Sequence, residues 1–113
     1  MDGMADSLAG RVVLVTGPAR GIGAETARQL ARRGARLSLV GMEPQRLRAL
    51  AAELGEGHAW FDCDVTDQAA VDRAVAGTVE RLGGIDVVVA NAGIAANGTV
   101  AVARWRRWRA PST

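Results

Sequence analysis

The chain has 113 residues, 49% of them apolar and 23% charged, with a formal net charge of +2. That balance describes one small globular domain and excludes a disordered chain or a multidomain array. A single cysteine, Cys63, excludes an internal disulfide and any cysteine-based metal centre.

The opening segment, MDGMADSLAG, is acidic and lacks a long apolar run, so no signal peptide is expected and the cytoplasm is the expected location. RVVLVT (Arg11–Thr16) is a β-branched aliphatic run that ends in a glycine-rich turn, the pattern of a buried strand. From Ile22 to Arg33 the residues Ile22, Thr26 and Leu30 share one helical face, with Ala27 and Ala31 beside it, and Gly34 is placed to close the helix. ARLSLV (Ala35–Val40) reads as a second strand. Pro44 suits the first position of a second helix, which carries Leu47, Leu50, Ala51 and Leu54 and ends at Gly55.

HAWF (His58–Phe61) reads as a short third strand. Asp67 or Thr66 caps a third helix in which Val71, Val75, Val79 and Leu82 recur at helical spacing, with Gly83 and Gly84 at its end. IDVVVA (Ile85–Ala90) is a fourth strand, apolar almost throughout. Strands alternating with helices at this spacing predict a parallel sheet with right-handed crossovers.

The turn TGPARGIG (Thr16–Gly23) joins the first strand to the first helix. Glycines there permit a tight turn and close approach of a ligand, and the helix start offers unpaired N–H groups to a phosphate. Glycine spacing alone is weak evidence, because any tight strand-to-helix turn uses it; its position at the start of a βαβ unit gives it weight. Together with Asp64-Val65 after the third strand and Asn91-Ala92-Gly93 after the fourth, this pattern resembles the short-chain dehydrogenase/reductase family from about Leu8 to about Val102.

The resemblance implies an α/β, Rossmann-type parallel sheet with helices on both faces, truncated after the fourth strand. It implies that Gly17, Ala19, Arg20, Gly21, Ile22 and Gly23 form the cofactor loop, with Gly17, Gly21 and Gly23 serving the phosphates and the helix packing. Asp64 would accept from the adenine amino group with Val65 lining that pocket. Asn91 would tie neighbouring strands, and Ala92 and Gly93 would lie against the ribose. The implied cofactor is NADP, which is favoured, or NAD. Gly41 stands where an NAD-binding acid is expected. Arg20 favours NADP, while Glu43 lies close enough to repel a 2′-phosphate.

Asp62 reads as a solvated or capping neighbour, Cys63 as a small buried filler, His58 as surface or structural rather than catalytic, and Trp60 as core or helix-packing. The family's tyrosine and lysine acid/base pair has no counterpart, because the chain contains no tyrosine and no lysine. As written it is expected to be inactive, and the alcohol or carbonyl substrate of the family reaction is not legible. The homo-oligomer contacts of the family are expected to be largely missing. The strand Ile85–Ala90 is expected to lack its next neighbour and so to present an apolar, aggregation-prone edge.

Residues 1–102 thus read as the N-terminal half of a dinucleotide-binding domain, and 103–113 as a foreign tail. That tail, RWRRWRAPST from Arg104, does not suit the family pattern. Read one base out of frame, with CGN arginine codons and a TGA stop, it admits Met-Ala-Arg-Thr-Ile-Asp-Val-Asn, which does suit it; a frameshift is the favoured explanation. Two alternatives are a non-catalytic NADP(H)-binding module and a tail that binds nucleic acid or an anionic membrane through interleaved arginine and tryptophan. Neither nucleic acid nor membrane is the expected partner.

Overall fold

The computed structural model describes residues 8–91 and 100–108. In chain order the elements are β1 (Val12–Thr16), α1 (Gly21–Arg32), β2 (Arg36–Gly41), α2 (Pro44–Leu54), β3 (Ala59–Asp62), α3 (Gln68–Leu82), β4 (Ile85–Asn91) and β5 (Val100–Trp108). The sheet order is β3-β2-β1-β4-β5. The first four strands pair in parallel, as the alternation predicts, with Val13 opposite both Leu37 of β2 and Val87 of β4.

Each helix ends where its local chemistry requires. At the end of α1 the Gly34 N–H reaches the Ala31 carbonyl and the Ala35 N–H reaches that of Leu30, a Schellman arrangement with Gly34 at φ +91°. Pro44 opens α2, where its missing N–H costs nothing. Asp67, rather than Thr66, caps α3, accepting from the N–H groups of Ala69 and Ala70 at 3.0 and 3.4 Å. Gly83 closes that helix in the left-handed region.

Two cores lie on opposite faces of the sheet. Val13, Val15, Leu37 and Leu39 pack against Ala24 and Ala27 of α1 and Leu47 and Leu50 of α2. Leu14, Val40, Ile85 and Cys63 pack against Ala70, Ala74 and Val79 of α3. Successive strand residues therefore feed alternate cores, which is why the strands are apolar runs rather than alternating ones. Each fully buried leucine or valine contributes roughly 1.5–3 kcal/mol.

Polar groups inside this frame are paired. Ser38 and Thr78 are fully buried and share a 2.7 Å hydrogen bond between β2 and α3, while the Thr78 hydroxyl donates to the Ala74 carbonyl. Asp86, buried at the start of β4, accepts from the Val12 N–H at 2.8 Å. His58 is structural: its Nδ1 accepts from the Leu37 N–H at 3.0 Å. Trp60 packs against the α1/α2 core, and the Cys63 thiol is buried, which pushes its pKa up.

The expectation of an uncovered β4 edge is corrected by β5. This strand runs antiparallel to β4, with Asn91 opposite Val100, Val89 opposite Val102 and Val87 opposite Arg104; an irregularity follows before Ile85 meets Trp108. The β4 edge that faces away from β1 is thus paired, by Val100–Val102 at the end of the expected family half and by residues from Ala103 onward that the sequence pattern assigned to the tail. The parallel, Rossmann-like arrangement thus ends at the fourth strand as expected, but the sheet does not. Among the described residues, no helix is long and apolar enough to cross a membrane.

Candidate dinucleotide site

The strand order reverses at β1, whose neighbours β2 and β4 lead away in opposite directions. In open α/β sheets this point opens a crevice beyond the carboxyl ends of the strands, where ligands bind. The Thr16–Gly23 turn, Asp64-Val65 and Asn91 all emerge there, from the ends of β1, β3 and β4.

Asn91 joins the two central strands. Its side-chain Nδ2 donates to the Gly17 carbonyl at 3.1 Å, and its backbone N–H donates to Thr16 Oγ1 at 3.2 Å. Gly17 holds φ +66°, a conformation that side chains resist. A Cβ on Gly23 would overlap the Gly17 carbonyl oxygen and come within 2.7 Å of Asn91 Nδ2. Gly23 thus lets the first turn of α1 lie directly on the loop. Gly21, at φ +56°, has open space where a side chain would stand, leaving its surface free for approach by a ligand. Pro18 and Ala19 complete the loop, with Pro18 fully buried against the end of β2.

Asp64 is held by its own turn. Its Oδ1 accepts from the Thr66 hydroxyl at 2.6 Å and the Thr66 N–H at 2.9 Å. Those two bonds, the hydroxyl's above all, hold its pKa below the usual carboxylate range. The carboxylate is therefore charged and fixed in orientation, fit to accept from an amino group.

Three large apolar side chains stand exposed around the same crevice: Ile22 at 54%, Met42 at 65% and Val65 at 52%. Isolated exposed apolar residues are ordinary, but these follow the ends of β1, β2 and β3 in turn. Met42 is the member that sequence reading missed. Its only signal is its place, directly after Gly41, at the end of a strand whose carboxyl end opens on the crevice.

Arg20, at the N-cap of α1, is gripped by Glu43, the residue before α2. Arg20 Nη2 lies 2.8 Å from Glu43 Oε1, and Nε lies 3.0 Å from both carboxylate oxygens. The hydrogen bond to Arg20 is the main cause lowering the Glu43 pKa, and the same bond raises that of Arg20. Arg46 Nε reaches Glu43 Oε1 at 3.2 Å. Ala92 and Gly93 lie outside the described residues.

Comparison with known proteins bears on this arrangement. Residues 11–110 match the family described as short chain dehydrogenase. The chain belongs to the short-chain dehydrogenase family. Sorbitol dehydrogenase of Cereibacter sphaeroides is 44% identical over 87 residues, which are 77% of this chain and 34% of that protein. D-threitol dehydrogenase of Mycolicibacterium smegmatis is 44% identical over 91 residues, 78% of this chain and 35% of that one. Among solved structures, a dehydrogenase/reductase from Sinorhizobium meliloti superposes with a TM-score of 0.74 at 40% identity, covering 80% of this chain and 38% of that one. A 3-ketoacyl-(acyl-carrier-protein) reductase from Brucella melitensis, complexed with NADH, gives 0.71 at 30% identity, covering 73% of this chain and 34% of that one. This short-chain dehydrogenase sequence thus spans about a third of the length of the relatives it matches.

Proposed function

We propose that residues 1–102 form the adenosine- and pyrophosphate-binding half of a nicotinamide dinucleotide site, from an oxidoreductase that moves hydride between the cofactor and an alcohol or carbonyl compound. The observation that carries this reading is the junction of Gly17, Gly23 and Asn91 at the switch point, where the helix start packs on the loop and the fourth strand is tied to the first. Gly17, Ala19, Gly21 and Gly23 would cradle the pyrophosphate against the start of α1, with Ile22 beside it. Asp64 and Val65 would hold the adenine, and Ala92 and Gly93, following Asn91, would meet the ribose. The cofactor is NADP(H) or NAD(H): Arg20 speaks for a 2′-phosphate and Glu43 against one. The nearest support for either form is the NADH found with the Brucella reductase.

The 113-residue chain itself performs no hydride transfer on this reading. Proton transfer to a carbonyl in the family's manner needs a tyrosine assisted by a lysine, and the sequence holds neither. The Arg/Trp segment from 103 onward is read as the product of a shifted frame; resequencing the gene from the Asn91 codon tests this, and an unshifted frame with no Tyr-x-x-x-Lys continuation in any frame would end it.

The site itself is tested by titrating ADP-ribose into the labelled chain and following amide NMR shifts. Saturable shifts confined to Gly17–Gly23, Asp64-Val65 and Asn91 are expected. No shift at millimolar nucleotide, or shifts scattered over the surface, would refute the assignment.

A further inference from the structure

Two arginines converge on a single carboxylate beyond the ends of β1 and β2. Arg20 approaches Glu43 through Nε and Nη2, and Arg46, in the first turn of α2, approaches the same Oε1. A pair of guanidinium groups converging on one point is the arrangement that a phosphate monoester recruits. Here an acidic side chain of the protein already fills it. Glu43 follows Gly41 by two residues, so the cluster stands beside the position from which an acid would reach the adenosine ribose.

We propose that Glu43 occupies a latent two-arginine phosphate site and thereby makes the chain select a nucleotide with a free ribose 2′-hydroxyl over one carrying a 2′-phosphate. This rests on the dinucleotide reading above. The charges decide the direction. Arg20, Arg46 and Glu43 together carry one net positive charge, and Glu43 is the partner of both cations. An incoming phosphate dianion must break those contacts and then lie against the displaced carboxylate. Removing the carboxylate leaves two cations free to meet the dianion. The arginine that favours NADP in the sequence is therefore engaged, and Glu43 sets the outcome.

The fold makes Glu43 a clean position to change. Its side chain makes no capping bond to α2, and exposed ion pairs contribute little to stability. The probes are 5′-AMP and 2′,5′-ADP, titrated into the full 113-residue chain and its Glu43→Gln variant, both first shown to be folded by circular dichroism. The native chain is expected to bind 5′-AMP at least as tightly as 2′,5′-ADP. In Glu43→Gln the preference should move at least tenfold towards 2′,5′-ADP, and adding Arg46→Gln should return most of that gain. A native chain that already prefers 2′,5′-ADP tenfold, or a ratio that Glu43→Gln leaves unchanged, overturns this inference while leaving the nucleotide site standing. If neither probe binds either folded protein, the nucleotide site itself is refuted and the inference falls with it.

Discussion

Replacing Gly23 with alanine separates two effects of opposite sign. In an ordinary helix this substitution stabilises, because alanine is about 1 kcal/mol the better helix former. Here the added Cβ would overlap the Gly17 carbonyl oxygen and press to 2.7 Å on Asn91 Nδ2. Real contacts of that kind stay beyond about 3 Å, so the start of α1 must lift from the loop or the Asn91–Gly17 bond must open. Loss of the bond costs about 1 kcal/mol, and overpacking against backbone costs roughly 1–3 kcal/mol more. Set against the helix gain, Gly23→Ala should destabilise by about 1–3 kcal/mol. For a chain of this size each kcal/mol lowers Tm by roughly 4–6 °C. Urea unfolding followed by far-ultraviolet circular dichroism measures the change directly. A variant as stable as the parent, or more stable, would show that the helix does not lie against the loop as described.

Thr78→Val leaves the buried Ser38 hydroxyl without its partner and should cost about 1–3 kcal/mol, whereas the Ser38→Ala, Thr78→Val double variant should recover part of that loss; denaturant midpoints of the three proteins decide. His58 has its pKa lowered first by burial and then by Arg36, so the folded chain binds fewer protons than the unfolded one. Stability should be fully present above the ordinary histidine value of about 6.5 and fall as pH drops below it. His58→Gln should flatten the urea midpoint between pH 7.5 and 5, and an unchanged slope would contradict the Leu37–His58 bond. Removing residues 100–113 strips β5 from β4 and exposes an apolar edge. Light scattering should then show concentration-dependent association, and a shortened chain as monodisperse as the parent would refute the pairing.

Much of this architecture is legible because it is local. The strands Arg11–Thr16 and Ile85–Ala90, the Pro44 start, and the Gly34 and Gly83 stops each follow from the chemistry of a few adjacent residues. The glycine turn and Asp64 are legible as a pattern because their roles depend on backbone shape at fixed places after strands. What escaped was set by distant partners. β5 carries arginines where a strand pattern would show alternation, and it becomes a strand by pairing with an open edge. Asp86 looks like an interruption in an apolar run until the Val12 N–H, 74 residues earlier, supplies its reason. The Ser38–Thr78 bond and the Arg20–Glu43 pair likewise join elements that no short window contains. For Glu43 the sequence places a charge near the site but not its engagement with Arg20 and Arg46.

The Asn91–Gly17 contact bears on the order in which the chain assembles. Its partners are 74 residues apart, so this bond can hold the loop that would face a nucleotide only once the fourth strand lies beside the first. Contacts of such long range are the slow ones to form. A ligand that recognises the finished loop binds only the completed sheet, and by mass action it withdraws chains from the partly assembled population. Nucleotide would then act on this chain as a folding aid, with Asn91 as the last latch to close.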